Sequence, residues 1–172
     1  HDVPNPSTML ATQSSVDCER TFPLPETKLD RFPMRISLGY PSVSDEIIIM
    51  DRQRYHHPIE NLQAVATSAD VEMLQMAVKD IYIDDLIKQY IADLVGATRN
   101  HTAILLGASP RASLALYRTT QAKALISGRD YVLPDDVKAL AEPVLAHRII
   151  VRWTDSSHDK SGRDIVAQIL ET

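Results

Sequence analysis

The sequence has a single cysteine, Cys18, among its 172 residues. One cysteine excludes an intramolecular disulfide framework and favours a reducing compartment, so we expect a cytoplasmic protein. No apolar run approaches the roughly 20 residues of a membrane-spanning helix. The 18 basic and 23 acidic residues are interspersed without a basic block, which argues against nucleic acid as the partner.

Glycine is also scarce, and its placement excludes one class of nucleotide motif. A P-loop ends in Gly-Lys-Ser/Thr, but none of the five glycines is followed by lysine. A Walker B motif needs an apolar strand that ends in acid, whereas the only Asp-Glu pair, Asp45-Glu46, follows Ser44 at the start of a predicted helix. This sequence therefore lacks both motifs that hold the phosphates and magnesium of a bound nucleotide in such proteins.

Short, proline-punctuated segments make up the first quarter of the chain. TMLAT at 8–12 is a brief apolar run, and MRISLGY at 34–40 alternates apolar and polar residues, so each predicts a strand. Prolines bracket FPLPETKLDRFP at 22–33, which leaves room for one or two helical turns. A helix capped by Ser42 follows.

From about Asp70 onward the sequence is typical of helices. Apolar residues recur three and four positions apart in the segments that begin ADVEML, DDLIKQ, SPRASL, PDDVKA and SGRDIV. Four or five amphipathic helices joined by short loops predict a helical bundle. We therefore expect a mostly α-helical protein with two short strands near its start.

Arg111, in LLGASPRASL, occupies an unfavourable position for a cation. Ser109 suits the N-cap and Pro110 the first helical position, which places Arg111 in the first turn. A cation there opposes the helix dipole by about 0.3–1 kcal/mol. Two interpretations are open: a solvated arginine that turns away, or an anion site formed by the guanidinium and the free backbone N–H groups.

Seven fragments carry a family resemblance, and they occur in this order: ATQ, TFPLPETKLDRF, GYPS, LVGATRNH, LGASPRA, GRDYVLPDDV and VLAHRI. Their order and spacing resemble the second half of the MoxR family of AAA+ ATPases. The resemblance implies that 1–62 is the last part of an αβα nucleotide-binding core and that 63–172 is a helical lid domain. It also implies an ATPase that remodels or matures partner proteins, with the P-loop and Walker B motifs outside this sequence.

The same resemblance assigns roles to three residues. Ser14 lies at the sensor 1 position, where the family usually has asparagine; the alternative is a turn residue at a strand end. Arg31 in LDRF matches the arginine finger, which acts on a neighbouring subunit; the alternative is an ion pair with Asp30 or Glu26. Arg111 matches sensor 2, which contacts the γ-phosphate. An anion landing on the helix start would then offset its dipole penalty.

The resemblance further implies a hexameric ring, ATP and Mg2+ as cofactors of the complete protein, and partners with von Willebrand factor A domains. Without a P-loop, this chain alone should neither hydrolyse ATP nor bind it tightly. The residue at position 14 keeps a second function open, namely an assembly or protein-interaction module that has lost hydrolysis. The histidines show no metal-ligand spacing, and helix capping explains Asp135-Asp136 better than a paired-carboxylate site.

Overall fold

Seven α-helices and one two-stranded sheet form within the residues that the computed structural model describes, 6–13, 25–152 and 161–171. The predicted mostly α-helical fold is confirmed. The helices are α1 Glu26–Leu29, α2 Val43–Arg52, α3 Ser68–Asp80, α4 Asp85–Asn100, α5 Pro110–Ile126, α6 Pro134–Leu145 and α7 Gly162–Leu170, with a 3-10 helix at Pro58–Asn61. The strands are β1 Ile104–Leu106 and β2 Ile150–Val151, which pair antiparallel.

The two strands are not those that the sequence predicts. Residues 8–12 and 34–40 form no strand, and the side chains of Ile36 and Leu38 are 71% and 94% exposed. A strand is stable only when its backbone N–H and C=O groups pair along a neighbouring strand, and no described segment forms such a ladder with either stretch. The apolar run in 8–12 and the alternation in 34–40 are both suited to a sheet, but the strand predictions for the two segments were wrong.

The core lies between the last four helices. Helix α5 packs against α3, α4 and α6, while α7 packs against α4 and α6. The fully buried side chains include Val95, Leu116, Val137, Leu145 and Ile165. The predicted bundle forms, but its inner faces differ in part from those that apolar periodicity indicated, since Leu86 and Leu114 are 80% and 59% exposed. By contrast, α2 and α3 bury no residue completely.

Helix ends agree with the predicted capping residues. The Ser42 hydroxyl accepts from the backbone N–H of Asp45 at the start of α2. Helix α5 ends just before Gly128, whose φ of +72° suits a glycine cap. The Asp136 carboxylate accepts from the Leu133 N–H at the start of α6, as the capping interpretation predicted. None of the helices in the described ranges has the length and apolarity to cross a membrane.

Candidate anion site at the start of α5

The carboxylate of Asp30 lies against the N-terminus of α5. Its Oδ2 is 3.2 Å from Arg111 Nη1, and the Ser109 hydroxyl donates to the same oxygen at 3.2 Å. Its Oδ1 is 2.9 Å from Arg148 Nη1. Helix α5 has no acidic residue in its own first turn, so Asp30 supplies the negative charge that a helix N-terminus favours.

Arg111 at the start of α5 is paired with a carboxylate of the same chain. Its side chain remains 57% exposed while it pairs with Asp30. Ser109 is the N-cap, but its hydroxyl donates to Asp30 rather than capping its own helix. The anion at this site is thus a carboxylate from 81 positions earlier in the chain, and it offsets the unfavourable placement of Arg111 on the dipole.

Arg148 is the buried partner of this cluster, with a side chain only 1% exposed. Besides Asp30, its guanidinium donates through Nη2 to the carbonyl of Phe32 at 2.7 Å and, more weakly, to that of Pro33 at 3.5 Å. Burial lowers the pKa of Arg148, and the Asp30 carboxylate opposes that shift. Arginine stays charged under such conditions, so the buried cation depends on these acceptors.

Two further contacts join the same segment to the end of α6. The Nε2 of His147 lies 3.1 Å from the Phe32 carbonyl, and because a carbonyl only accepts, the ring donates. Burial lowers the pKa of His147, which favours the neutral ring. The Arg35 N–H donates to the Pro143 carbonyl at 2.8 Å. The segment 30–35 is therefore fixed to the bundle by polar contacts on several of its residues.

Arg31, in the middle of this fixed turn, points to solvent. Its side chain is exposed, and no hydrogen bond or ion pair joins it to Asp30. The ion pair with Asp30 that the sequence left open is therefore not formed, and the carboxylate contacts Arg111, Ser109 and Arg148 instead. The side chain of Glu26, the other candidate partner, lies outside what the structure describes. Ser14, the third predicted site residue, lies outside the described residues.

The arrangement is chemically suited to a terminal phosphate. A phosphate needs cationic and N–H donors at one point, and the start of α5 offers the Arg111 guanidinium, the Ser109 hydroxyl and a helix end with no acidic residue of its own. Asp30 shows that an anionic group fits there. No group of three or more potential metal-ligating side chains occurs within residues 6–13, 25–152 and 161–171.

Sequence reasoning did not single out Asp30 or Arg148 as site residues. Both lie in quoted fragments, LDRF and VLAHRI, but their side chains meet across 118 positions of chain. Periodicity and local motif spacing report contacts within one element, so neither signal could pair them.

The sequence of the chain is similar to those of known proteins over most of its length. Residues 96–169 match the AAA lid domain family. The chain is 44% identical to the uncharacterized protein YeaC of Bacillus subtilis, an alignment that covers 96% of this chain and 52% of that protein. It is 31% identical to chaperone MoxR1 of Mycobacterium tuberculosis, covering 99% of this chain and 47% of MoxR1. The chain matches the C-terminal part of MoxR-family AAA+ proteins.

A solved structure agrees with this MoxR assignment. The crystal structure of a candidate ATPase from Cytophaga hutchinsonii superposes with a TM-score of 0.89 at 36% identity, over 99% of this chain and 55% of the other. The present chain spans about half the length of the curated MoxR relatives it matches. Arg111 and Arg148 lie inside the matched lid, whereas Asp30 and Arg31 precede it. Asp30 therefore joins a segment outside the matched lid to the lid itself.

Proposed function

We propose that this chain is the C-terminal half of a MoxR-type ATPase that couples ATP binding and hydrolysis to the remodelling or maturation of partner proteins. Residues 1–62 would complete the nucleotide-binding core, and 63–172 would form the lid. The complete protein would use ATP and Mg2+, assemble as a hexameric ring in the cytoplasm, and act on partners with von Willebrand factor A domains. The observation that carries the proposal is the anion site at the start of α5, beside the exposed Arg31.

Arg111 acts as sensor 2 in this proposal. Its guanidinium binds the γ-phosphate of the nucleotide held by its own subunit, with the N-terminal end of α5 adding dipole stabilisation. Because Arg111 already pairs with a carboxylate, nucleotide would compete with Asp30 for it. Arg148 keeps Asp30 paired during that exchange, since it contacts the other carboxylate oxygen.

Arg31 acts as the arginine finger. The guanidinium is exposed and does not pair with Asp30, and a group that serves the neighbouring subunit requires such an exposed position. In the complete ring it neutralises negative charge that develops on the transferring phosphoryl group. Removing such an arginine typically costs on the order of 10³-fold or more in rate.

Mixed rings of the full-length protein test this division of roles. Arg31→Ala should abolish most hydrolysis, and mixing it with subunits whose P-loop lysine is replaced should restore a measurable part. Intact sites then form where an Arg31→Ala subunit receives the finger of its neighbour. The proposal fails if Arg31→Ala retains full turnover, or if demonstrably mixed rings show no recovery.

A second candidate function rests on Ser14. Serine at the sensor 1 position has one short hydroxyl where asparagine offers a longer donor and acceptor, so positioning of the attacking water would suffer. The complete protein would then assemble and bind partners with little hydrolysis. Steady-state ATP turnover of the full-length protein discriminates: turnover below about one per hour with intact ATP binding would favour this assembly module over the working ATPase.

A further inference from the structure

Arg148 contacts the residues on both sides of Arg31. It binds the carboxylate of Asp30 at 2.9 Å and the carbonyl of Phe32 at 2.7 Å. On the N-terminal side the turn is closed by its own backbone, since Arg31 donates to the Lys28 carbonyl at 3.1 Å. One buried guanidinium thus spans the residue whose side chain is left exposed.

We propose that Arg148 is the positioning residue of Arg31: the lid, through this guanidinium, sets where the arginine finger points. The inference rests on the proposed role of Arg31 as a finger acting on the neighbouring subunit. It assigns to Arg148 no contact with nucleotide. Its effect on the reaction passes through the turn that carries Arg31.

The Arg148 side chain is held rigidly enough to orient the turn that carries Arg31. The side chain is 1% exposed, and Arg148 lies between α6, which packs on α5 and α7, and β2, which pairs with β1. A planar guanidinium with fixed donor directions holds two acceptors at a defined separation, which a lysine ammonium does less well. The turn 30–33 is therefore fastened to the lid, and a movement of the lid carries the finger with it.

Substitution of Arg148 removes its weak contact with the Pro33 carbonyl but leaves its two close acceptors with other donors. Asp30 keeps Ser109 and Arg111, and the Phe32 carbonyl keeps His147 Nε2. Neither acceptor becomes an orphan, so an Arg148→Met variant loses the orientation of the turn rather than its attachment. Methionine retains an unbranched apolar side chain that can fill most of the buried space of the Arg148 stem.

The test uses full-length protein and the mixed rings described above. We expect Arg148→Met to lower kcat on the order of 10²-fold, the effect of displacing a catalytic group by about 1 Å, with a much smaller rise in KM for ATP, because Asp30 without Arg148 competes more strongly for Arg111. Mixing with P-loop-lysine variant subunits should restore activity, as for Arg31→Ala. Arg148→Lys should give a smaller loss that mixing also restores.

The control is Arg129→Met, which removes a comparable ion pair of the lid, 2.8 Å from Asp136, without touching residues 25–35. Any loss of activity in this variant should persist on mixing, because it arises within its own subunit. An Arg31→Ala/Arg148→Met double variant should be no slower than Arg31→Ala alone.

The outcomes separate the two proposals. If Arg31→Ala is rescued by mixing and neither Arg148 variant is, the positioning role is wrong while the finger stands. A double variant markedly slower than Arg31→Ala likewise overturns it. If Arg31→Ala itself loses no hydrolysis, or if mixing does not restore it, the proposed function is wrong. The positioning role of Arg148 is then wrong as well. If Arg148→Met does not assemble, Arg148→Lys decides by the same criteria.

Discussion

Replacing Asp136 with alanine should destabilise the bundle by about 2–3 kcal/mol. The carboxylate accepts two hydrogen bonds from Arg129, each 2.8 Å long, and a third from the Leu133 N–H at the start of α6. Loss of a helix cap costs about 1 kcal/mol, and a hydrogen bond to a charged group contributes about 1.5–3 kcal/mol. With the Arg129 pair counted once, the two contributions add to about 2.5–4 kcal/mol. Because Arg129 is partly exposed, we expect a loss near the lower end, about 2–3 kcal/mol.

Urea unfolding at pH 7 measures this effect. With a slope of about 1–3 kcal/mol per molar urea, the midpoint should fall by about 1–2 M. Asp135→Ala is the matched control, since Asp135 lies in the same helical turn but is exposed, and it should lose only the dipole contribution of about 0.3–1 kcal/mol. Equal shifts for the two variants would refute the reasoning.

The ion pair between Asp136 and Arg129 makes the stability of the bundle depend on pH. The hydrogen bonds from Arg129 hold the pKa of Asp136 below its ordinary value of 3.8 in the folded protein. The stabilisation is therefore complete above about pH 4 and is lost as pH falls through the lower folded pKa. The stability difference between wild type and Asp136→Ala should shrink in acid below about pH 4, and a difference that grew there would contradict the assignment.

Three further predictions use other parts of the chain. Leu116→Ala, at a fully buried position, should lower the free energy of unfolding by about 2–5 kcal/mol, and Leu114→Ala, on the exposed face, by less than about 0.5 kcal/mol. Hydrogen exchange should be slow for amides in residues 85–145 and fast in 34–40, and equal protection would contradict the fold described. Single-turnover hydrolysis by the full-length protein should accelerate on the order of 10²-fold with Ser14→Asn; no change would remove the support for a weakened sensor 1.

The helices could be predicted because their formation depends on residues close in sequence. Apolar side chains three and four positions apart define a face, and capping residues such as Ser42 and Gly128 act within one turn. The stop of α5 and the start of α6 were therefore accessible from the sequence alone.

The strands and the anion site depend on distant residues. The alternation in 34–40 indicates a segment suited to a sheet but carries no information about a partner strand, and no strand among the described residues pairs with it. Strands β1 and β2 are only three and two residues long, too short for a periodic signal. Likewise Arg111 could be recognised as anomalous, whereas its carboxylate partner, Asp30, and the buried Arg148 required the fold.

If the start of α5 binds the γ-phosphate, the affinity of the full-length protein for ATP must depend on Arg111. Calorimetry with ATP and with ADP should compare wild type, Arg111→Ala and, as control, Arg118→Ala, which removes an exposed arginine two turns along the same helix. A charge-assisted hydrogen bond of about 1.5–3 kcal/mol corresponds to an affinity change of about tenfold or more. Arg111→Ala should weaken ATP binding by at least that factor, while ADP binding and the affinities of the Arg118→Ala control stay unchanged. Equal weakening of ATP and ADP, or no change in either, would contradict a γ-phosphate site at the start of α5.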